Sequence, residues 1–302
     1  MPKWIGRLHM DETAMSAYTK CTAYTERELS VADGTVLHLS HHAPVGPPRG
    51  GLVMLHGFAI HSGRHREAAA VFARAGLSVT AFDCRGHGLS TGRRGYVHRF
   101  ADYLDDLDAV IESAREMDGE LPVAVMGHSQ GGTIALDYAL RNPSRLSALM
   151  LASPWLALKL KVPVWKLALS GIAGRVSPTL TMGNELSGEI TIRSPAVRAR
   201  WVNDPLAHHV ATPRWFNEVR TAQAYILGHP STLQVPTFMG VSGDDRLVST
   251  EAALSFARTC PAVVQVKVFE HAFHELFMEP NFESIVEDFA SWVVARLPAP
   301  YT

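Results

Sequence analysis

Cysteine is scarce in this chain of 302 residues: Cys21, Cys84 and Cys260 make up the whole complement. The number is odd and no C-x-x-C pair occurs, which excludes a disulfide framework and a sulfur-ligated zinc site and suits a reducing cytoplasm. Net charge is equally scarce. Lys and Arg total 28 against 29 Asp and Glu, a formal charge of -1, so the electrostatic footprint that nucleic acid requires is missing. No apolar run reaches the roughly 18 residues of a spanning helix, and Lys3 and Arg7 are not followed by the apolar stretch of a secretory signal. Internal repeats and low-complexity tracts are also lacking. What remains is an apolar fraction of 47% with 19% charged residues, the composition of a globular protein long enough for one core and an inserted subdomain.

Residues 1–23 show no clear periodicity and read as an N-terminal arm. From Tyr24 to Leu39 two extended stretches flank Asp33-Gly34, a dipeptide suited to the positive φ angles of a tight hairpin. Short apolar runs follow: 51–55, 77–82, 123–126 and 146–151. They alternate with helical segments such as the one carrying Leu104, Leu107, Ile111 and Ala114, with Asp102, Asp105, Asp106 and Glu112 directed elsewhere. Continuous apolar strands between helices predict an α/β protein, a mostly parallel sheet covered on both faces. The alternation stops after Pro154 and resumes with strands at 236–241 and 264–269. The expected domains are therefore a core of 24–154 and 231–302 and an inserted, mainly helical subdomain of 155–230. A final helix carries one apolar stripe, Phe282, Ile285, Phe289 and Trp292, whose spacing is that of core packing.

The strongest local signal is Gly127-His128-Ser129-Gln130-Gly131. A G-x-S-x-G pentapeptide alone is common, but this one follows an apolar strand and precedes a helix, the setting of a nucleophile elbow. Ser129 becomes the candidate nucleophile, and the Gln130 N–H, at the start of the next helix, a donor to an oxyanion. The loop after the first parallel strand, 56–64, should bring the second donor, for which Phe58 N–H is the candidate. A serine hydroxyl needs a base, and the base needs an acid to hold its tautomer. Of fifteen histidines, His271 and His274 lie just beyond the last strand, with His274 preferred; beyond the strand before it, Asp244 and Asp245 stand adjacent and spacing does not choose between them. The pairs His41-His42 and His208-His209 read as solvated loop histidines, since neighbours in sequence rarely share a face. No metal or other cofactor is expected.

These residues resemble the monoglyceride lipase and lysophospholipase branch of the α/β-hydrolases, the serine aminopeptidase S33-like group. Four blocks carry the likeness: His56-Gly57 with His61-Ser62-Gly63-Arg64; Asp83-Cys84-Arg85-Gly86-His87-Gly88-Leu89-Ser90 leading to Arg94-Gly95-Tyr96-Val97; the serine motif; and His274-Glu275-Leu276-Phe277-Met278-Glu279-Pro280. The resemblance implies the α/β-hydrolase fold with a lid, selects Asp245 and His274 as acid and base, and makes Asp244 and His271 bystanders. Asp204, in the lid's Asn203-Asp204-Pro205-Leu206, becomes a capping or turn residue. The chain departs from the pattern at Ala59-Ile60, where the family has Gly-Glu, at Cys84 for histidine and at Gln130 for methionine, changes that gather near the oxyanion loop.

The resemblance further implies a serine hydrolase of lipid esters, monoacylglycerols first, acting through an acyl-enzyme. Lysophospholipids and short-chain esters are the alternatives within the fold, and a non-catalytic ligand receptor on the same scaffold is the alternative outside it. The apolar start of the insertion, with Trp155, Leu158 and Trp165, supplies candidate substrate contacts. Its interspersed lysines and tryptophans also suit peripheral contact with a membrane surface.

Overall fold

The computed structural model describes residues 23–119, 121–159, 164–184, 186–260 and 262–297, with the side chains of 164–169 outside the description. All but the last residue of the predicted N-terminal arm lies outside these residues. The chain opens with the hairpin β1 (Tyr24–Ser30) and β2 (Val36–His42), paired antiparallel around Gly34 at φ +85°. There follow β3 (Gly50–Leu55), α1 (Arg66–Arg74), β4 (Leu77–Phe82), α2 (Ala101–Asp118), β5 (Val123–His128), α3 (Gln130–Arg141) and β6 (Ala148–Ala152).

Between β6 and the next long strand lie α4 (Val164–Val176), β7 (Met182–Gly183), α5 (Gly188–Thr191), α6 (Pro195–Trp201), β8 (Val210–Ala211) and α7 (Pro213–Gly228). The chain then returns through β9 (Thr237–Ser242), α8 (Thr250–Thr259), β10 (Val264–Phe269) and α9 (Phe282–Val294). Among the described residues, eight strands form one sheet in the order β1-β2-β4-β3-β5-β6-β9-β10, and β7 pairs only with β8. From β4 to β10 every neighbour is parallel, as the unbroken apolar runs predict.

The strands' period of two divides the core. Val53, Leu55, Val125, Leu149, Leu151 and Met239 point to one face, where α2, α3 and α8 cover them. Leu52, Met54, Ala124, Met126 and Met150 point to the other, against Phe72 of α1 and Val286, Phe289 and Val293 of α9. Burying a ring such as Phe72 or Phe289 fully contributes about 1.5–3 kcal/mol. The apolar stripe of α9 therefore does what its spacing predicts. Reading Asp102 and Asp106 as directed away from the core is corrected: both are buried. Arg85 grips the Asp106 carboxylate with two hydrogen bonds of 2.6 Å, and a paired, fully hydrogen-bonded charge can be buried where a lone one cannot.

The histidine pairs also need correction. His42 sits in β2, 2% exposed, under the Tyr24 ring, and His208 is buried against Phe58. Neither is a solvated loop residue. In β2 the successive side chains of His41 and His42 alternate across the sheet, so the two cannot chelate one ion together.

Candidate active site

Ser129, Asp245 and His274 all stand at the carboxyl edge of the sheet, where the turns after β5, β9 and β10 converge. Open α/β sheets bind their ligands at that edge. Ser129 occupies φ 53°, ψ -116°, a conformation that costs about 1–3 kcal/mol for a residue with a side chain. The elbow fits only because of its glycines. A Cβ on Gly127 would stand 2.2 Å from Gly131 O, and one on Gly131 would stand 2.6 Å from His56 O, so any larger residue would push the serine turn off the strand.

The three side chains are connected. Ser129 Oγ lies 2.9 Å from His274 Nε2, and His274 Nδ1 lies 2.8 Å from Asp245 Oδ2. A carboxylate only accepts, so Nδ1–H donates to Asp245 and Nε2 is left to accept from the serine. The other carboxylate oxygen, Oδ1, accepts from Leu247 N–H at 2.8 Å and Val248 N–H at 2.9 Å. Burial pulls the His274 pKa down, but the charge and hydrogen bond of Asp245, joined by the charge of Glu275, outweigh it and leave the ring above its ordinary value. Burial likewise opposes the Asp245 charge, and His274 with the two backbone donors overcomes it, holding the carboxyl below its usual range. Asp244 instead pairs with Arg246 at 3.0 Å, and His271 is exposed.

The two proposed N–H donors are carried on segments that adjoin Ser129: Gln130 follows it directly and Gly57 packs against it. Gln130 begins α3, and its N–H belongs to the first turn, which has no intrahelical acceptor. The Phe58 N–H is aimed by His56. Cys84 N–H donates to His56 Nε2 at 2.9 Å, so the proton sits on Nδ1, which donates to Gly57 O at 2.6 Å. In a trans peptide the N–H points opposite to the C=O; fixing Gly57 O on His56 turns the Phe58 N–H the other way. Gly57 lies so close to Ser129 that a Cβ there would stand 3.2 Å from the serine Cβ.

Behind His274 lies a group that sequence spacing did not reveal. His65, His128 and Glu275 are buried and bring one possible metal-ligating atom each to within 4.8 Å of one another. Hydrogen bonding and packing already occupy the central member: His128 Nε2–H donates to His274 O at 3.2 Å, and its Nδ1 faces the Gly57 Cα. Burial opposes the Glu275 charge, but the facing imidazoles of His128, His65 and His274 outweigh it. The result is a second anion at the back of the catalytic ring.

In front of Ser129 opens a cavity of about 970 Å³, lined by Ile60, Leu186, Ile192 and Phe216 among other apolar side chains. That is the upper end of the ~300–1,000 Å³ typical of small-molecule sites. Trp155 and Leu158, two of the candidate substrate contacts, line it; the side chain of the third, Trp165, lies outside the described ones. Leu158 bridges to Val248, and Lys159 Nζ donates to Asp245 O at 2.5 Å, stitching the start of the insertion to the acid's loop. Asp204 makes the expected turn, accepting from Leu206 N–H at 3.0 Å, and does more. Its other oxygen takes Arg64 Nε at 2.8 Å and His61 Nε2 at 3.1 Å, joining the insertion to the loop after β3. The largest omission in the sequence reading is Trp215 on α7, which carries no motif yet lies against the site.

Comparison with known proteins gives the family and the fold. The profile of the family described as Hydrolase_4, serine aminopeptidase S33, matches residues 46–281. A monoacylglycerol lipase of Mycolicibacterium smegmatis is 31% identical over 256 residues, covering 84% of this chain and 91% of that one. Phospholipase YtpA of Bacillus subtilis is 31% identical over 239 residues, 78% of this chain and 91% of its own. Among solved structures, Paleococcus ferrophilus monoacylglycerol lipase superposes with a TM-score of 0.79 at 28% identity, covering 86% of this chain and 99% of that one.

Proposed function

Because the chain belongs to the Hydrolase_4, serine aminopeptidase S33, family, within the monoglyceride lipase branch of the α/β-hydrolases, we propose that it hydrolyses monoacylglycerols by two acyl transfers through Ser129. The observation that carries this reading is the serine, histidine and aspartate chain opening directly into a large apolar cavity. Ser129 Oγ attacks the ester carbonyl while His274 Nε2 takes its proton. The tetrahedral oxyanion is held by the N–H groups of Phe58 and Gln130, and His274 returns the proton to the departing glycerol oxygen. Water, deprotonated by the same ring, then attacks the acyl-enzyme, and the fatty acid leaves as Ser129 recovers its proton. Asp245 keeps the ring in the required tautomer and stabilises its charged form.

In this reading the insertion, 155–230, is a lid whose underside binds the acyl chain. Away from the cavity it exposes Ile172, Val176 and Leu180, side chains suited to resting on an aggregated lipid. Among the described residues no helix is long and apolar enough to cross a membrane. A lysophospholipid is the second reading, favoured by Arg198: it lines the cavity and has no carboxylate partner among the described residues, so it offers a charge to a phosphate headgroup.

The test is a panel of monoacylglycerols and lysophospholipids of graded chain length, each assayed below and above its aggregation concentration. Long-chain monoacylglycerols should give the highest kcat/KM, with a rise on aggregation. A preference for short, water-soluble esters would overturn the lipid assignment, and a preference for the phosphate headgroup would move it to the second reading.

The pH profile follows from the same site. The reacting base is neutral His274, whose pKa is raised, so kcat/KM should fall off on an acid limb above pH 6.5, the ring's ordinary value. Glu275→Gln removes one of the charges raising that pKa. The limb should therefore move to lower pH, read from kcat/KM between about pH 5 and 9, and an unmoved limb would remove Glu275 from the electrostatics of the base.

A further inference from the structure

Trp215 lies in the first turn of α7, 4% exposed, and contacts the carriers of both proposed oxyanion donors. Its ring stacks on Phe58 with centroids 3.7 Å apart and planes 17° from parallel. Its Nε1–H donates to Gln130 Oε1 at 3.1 Å, and both partners are buried. The position of Trp215 is itself fixed. Thr212 caps α7 by accepting from Trp215 N–H, and it is tied to Gly95 O through its own N–H and hydroxyl, at 2.9 and 2.8 Å.

The loop it touches is under strain. Ala59 holds φ +66°, a left-handed conformation that a residue with a Cβ adopts only when its surroundings enforce it. His208 supplies part of the enforcement: its N–H donates to Ala59 O at 3.0 Å, and its ring meets Phe58 edge-on. His87 of the core also meets the Phe58 ring edge-on, but Trp215 and His208 both belong to the segment between β6 and β9, so this part of it grips the loop where a freely swinging cover would release it.

We propose that Trp215 is a positioning residue that clamps the oxyanion hole, its indole holding Phe58 and Gln130 together so that strained Ala59 keeps the Phe58 N–H aimed beside Ser129. This rests on the hydrolase reading above. Catalysis gains only from interactions stronger in the transition state than in the ground state, so a clamp on oxyanion donors acts on kcat. A residue that merely walled the acyl cavity would act on KM.

The test uses Trp215→Phe, Trp215→Ala and each of these combined with Ala59→Gly. Glycine takes φ > 0 without strain, so a loop carrying Ala59→Gly depends less on being held. Trp215→Phe keeps a ring for the stack, loses the hydrogen bond and strands Gln130 Oε1; kcat should fall on the order of 10-fold with KM little changed. Trp215→Ala loses both contacts and should lower kcat about 100-fold, the scale of one lost oxyanion donor. Affinity for a boronic acid transition-state mimic should fall in parallel, while affinity for the fatty acid product should not.

In the Ala59→Gly background, Trp215→Ala should cost several-fold less than it does in the wild-type loop. Amide exchange across 57–61 should quicken in Trp215→Ala and Trp215→Phe whether or not an ester is turned over, which separates failure of the clamp from failure of the hydrolase reading. Equal losses with and without Ala59→Gly, a loss confined to KM, or unchanged exchange in the loop would each overturn the proposal.

Discussion

Ser129→Ala protein is expected to fold and to bind lipid ester but to turn it over about a million-fold more slowly, a barrier increase of about 8 kcal/mol. The alanine removes Oγ, the one atom that can form the acyl-enzyme, and leaves the remainder of the site standing. His274 keeps Asp245 Oδ2 at 2.8 Å, and the backbone that presents Phe58 and Gln130 is held by His56 and by the start of α3. What survives should be the small acceleration that oriented donors give to direct attack by water. The check is kcat on a long-chain monoacylglycerol beside a product-binding measurement: turnover should collapse while product affinity stays within a few-fold.

Asp245→Asn is expected to lower kcat about 10,000-fold, or about 5 kcal/mol, although it changes the side chain's shape hardly at all. The reason lies in the oxygen that faces away from the histidine. Oδ1 accepts two backbone N–H bonds, from Leu247 and Val248, so an asparagine must keep its carbonyl oxygen there and turn its NH2 toward His274. An NH2 group donates, which makes Nδ1 the acceptor and moves the ring proton to Nε2, where it opposes Ser129. The wrong tautomer, with no loss of packing, is the expected defect. Rates should recover partly at high pH, where hydroxide can deprotonate the serine, and a loss that is equal at all pH values with a lowered melting temperature would point to a folding defect instead.

Much of this site can be read from the chain because its parts are local. Strands buried on both faces appear as short apolar runs, and five of the sheet's strands, β3, β4, β5, β6 and β9, fall where such runs stand, while the edge strand β10 alternates Val with Gln265 and Lys267. The serine elbow is written within five residues, since only glycine fits at Gly127 and Gly131. Asp245 and His274 were reachable by chain order, and the family resemblance separated them from Asp244 and His271.

What stayed hidden depends on contacts between distant segments. Trp215 meets Gln130 across 85 residues, and nothing in the sequence around Pro213-Arg214-Trp215 marks it. Asp204 reads correctly as a turn residue, but its ion pair with Arg64 spans 140 residues. Asp106 was misdirected because a charge was assumed to seek water, whereas Arg85 makes its burial tolerable. His208 was misread for a related reason: burial neutralises the ring, its pKa falling to about 4, so it serves as a packing group beside Phe58.

The most direct test of the central claim is covalent labelling of the folded wild-type protein with a long-chain fluorophosphonate, followed by peptide mass spectrometry. One phosphonate per chain is expected, on Ser129, formed rapidly and lost in His274→Ala protein, where the hydroxyl has no base. Absence of an adduct on folded protein, or an adduct that forms as fast without His274, would contradict serine catalysis and leave a binding scaffold in place of an enzyme.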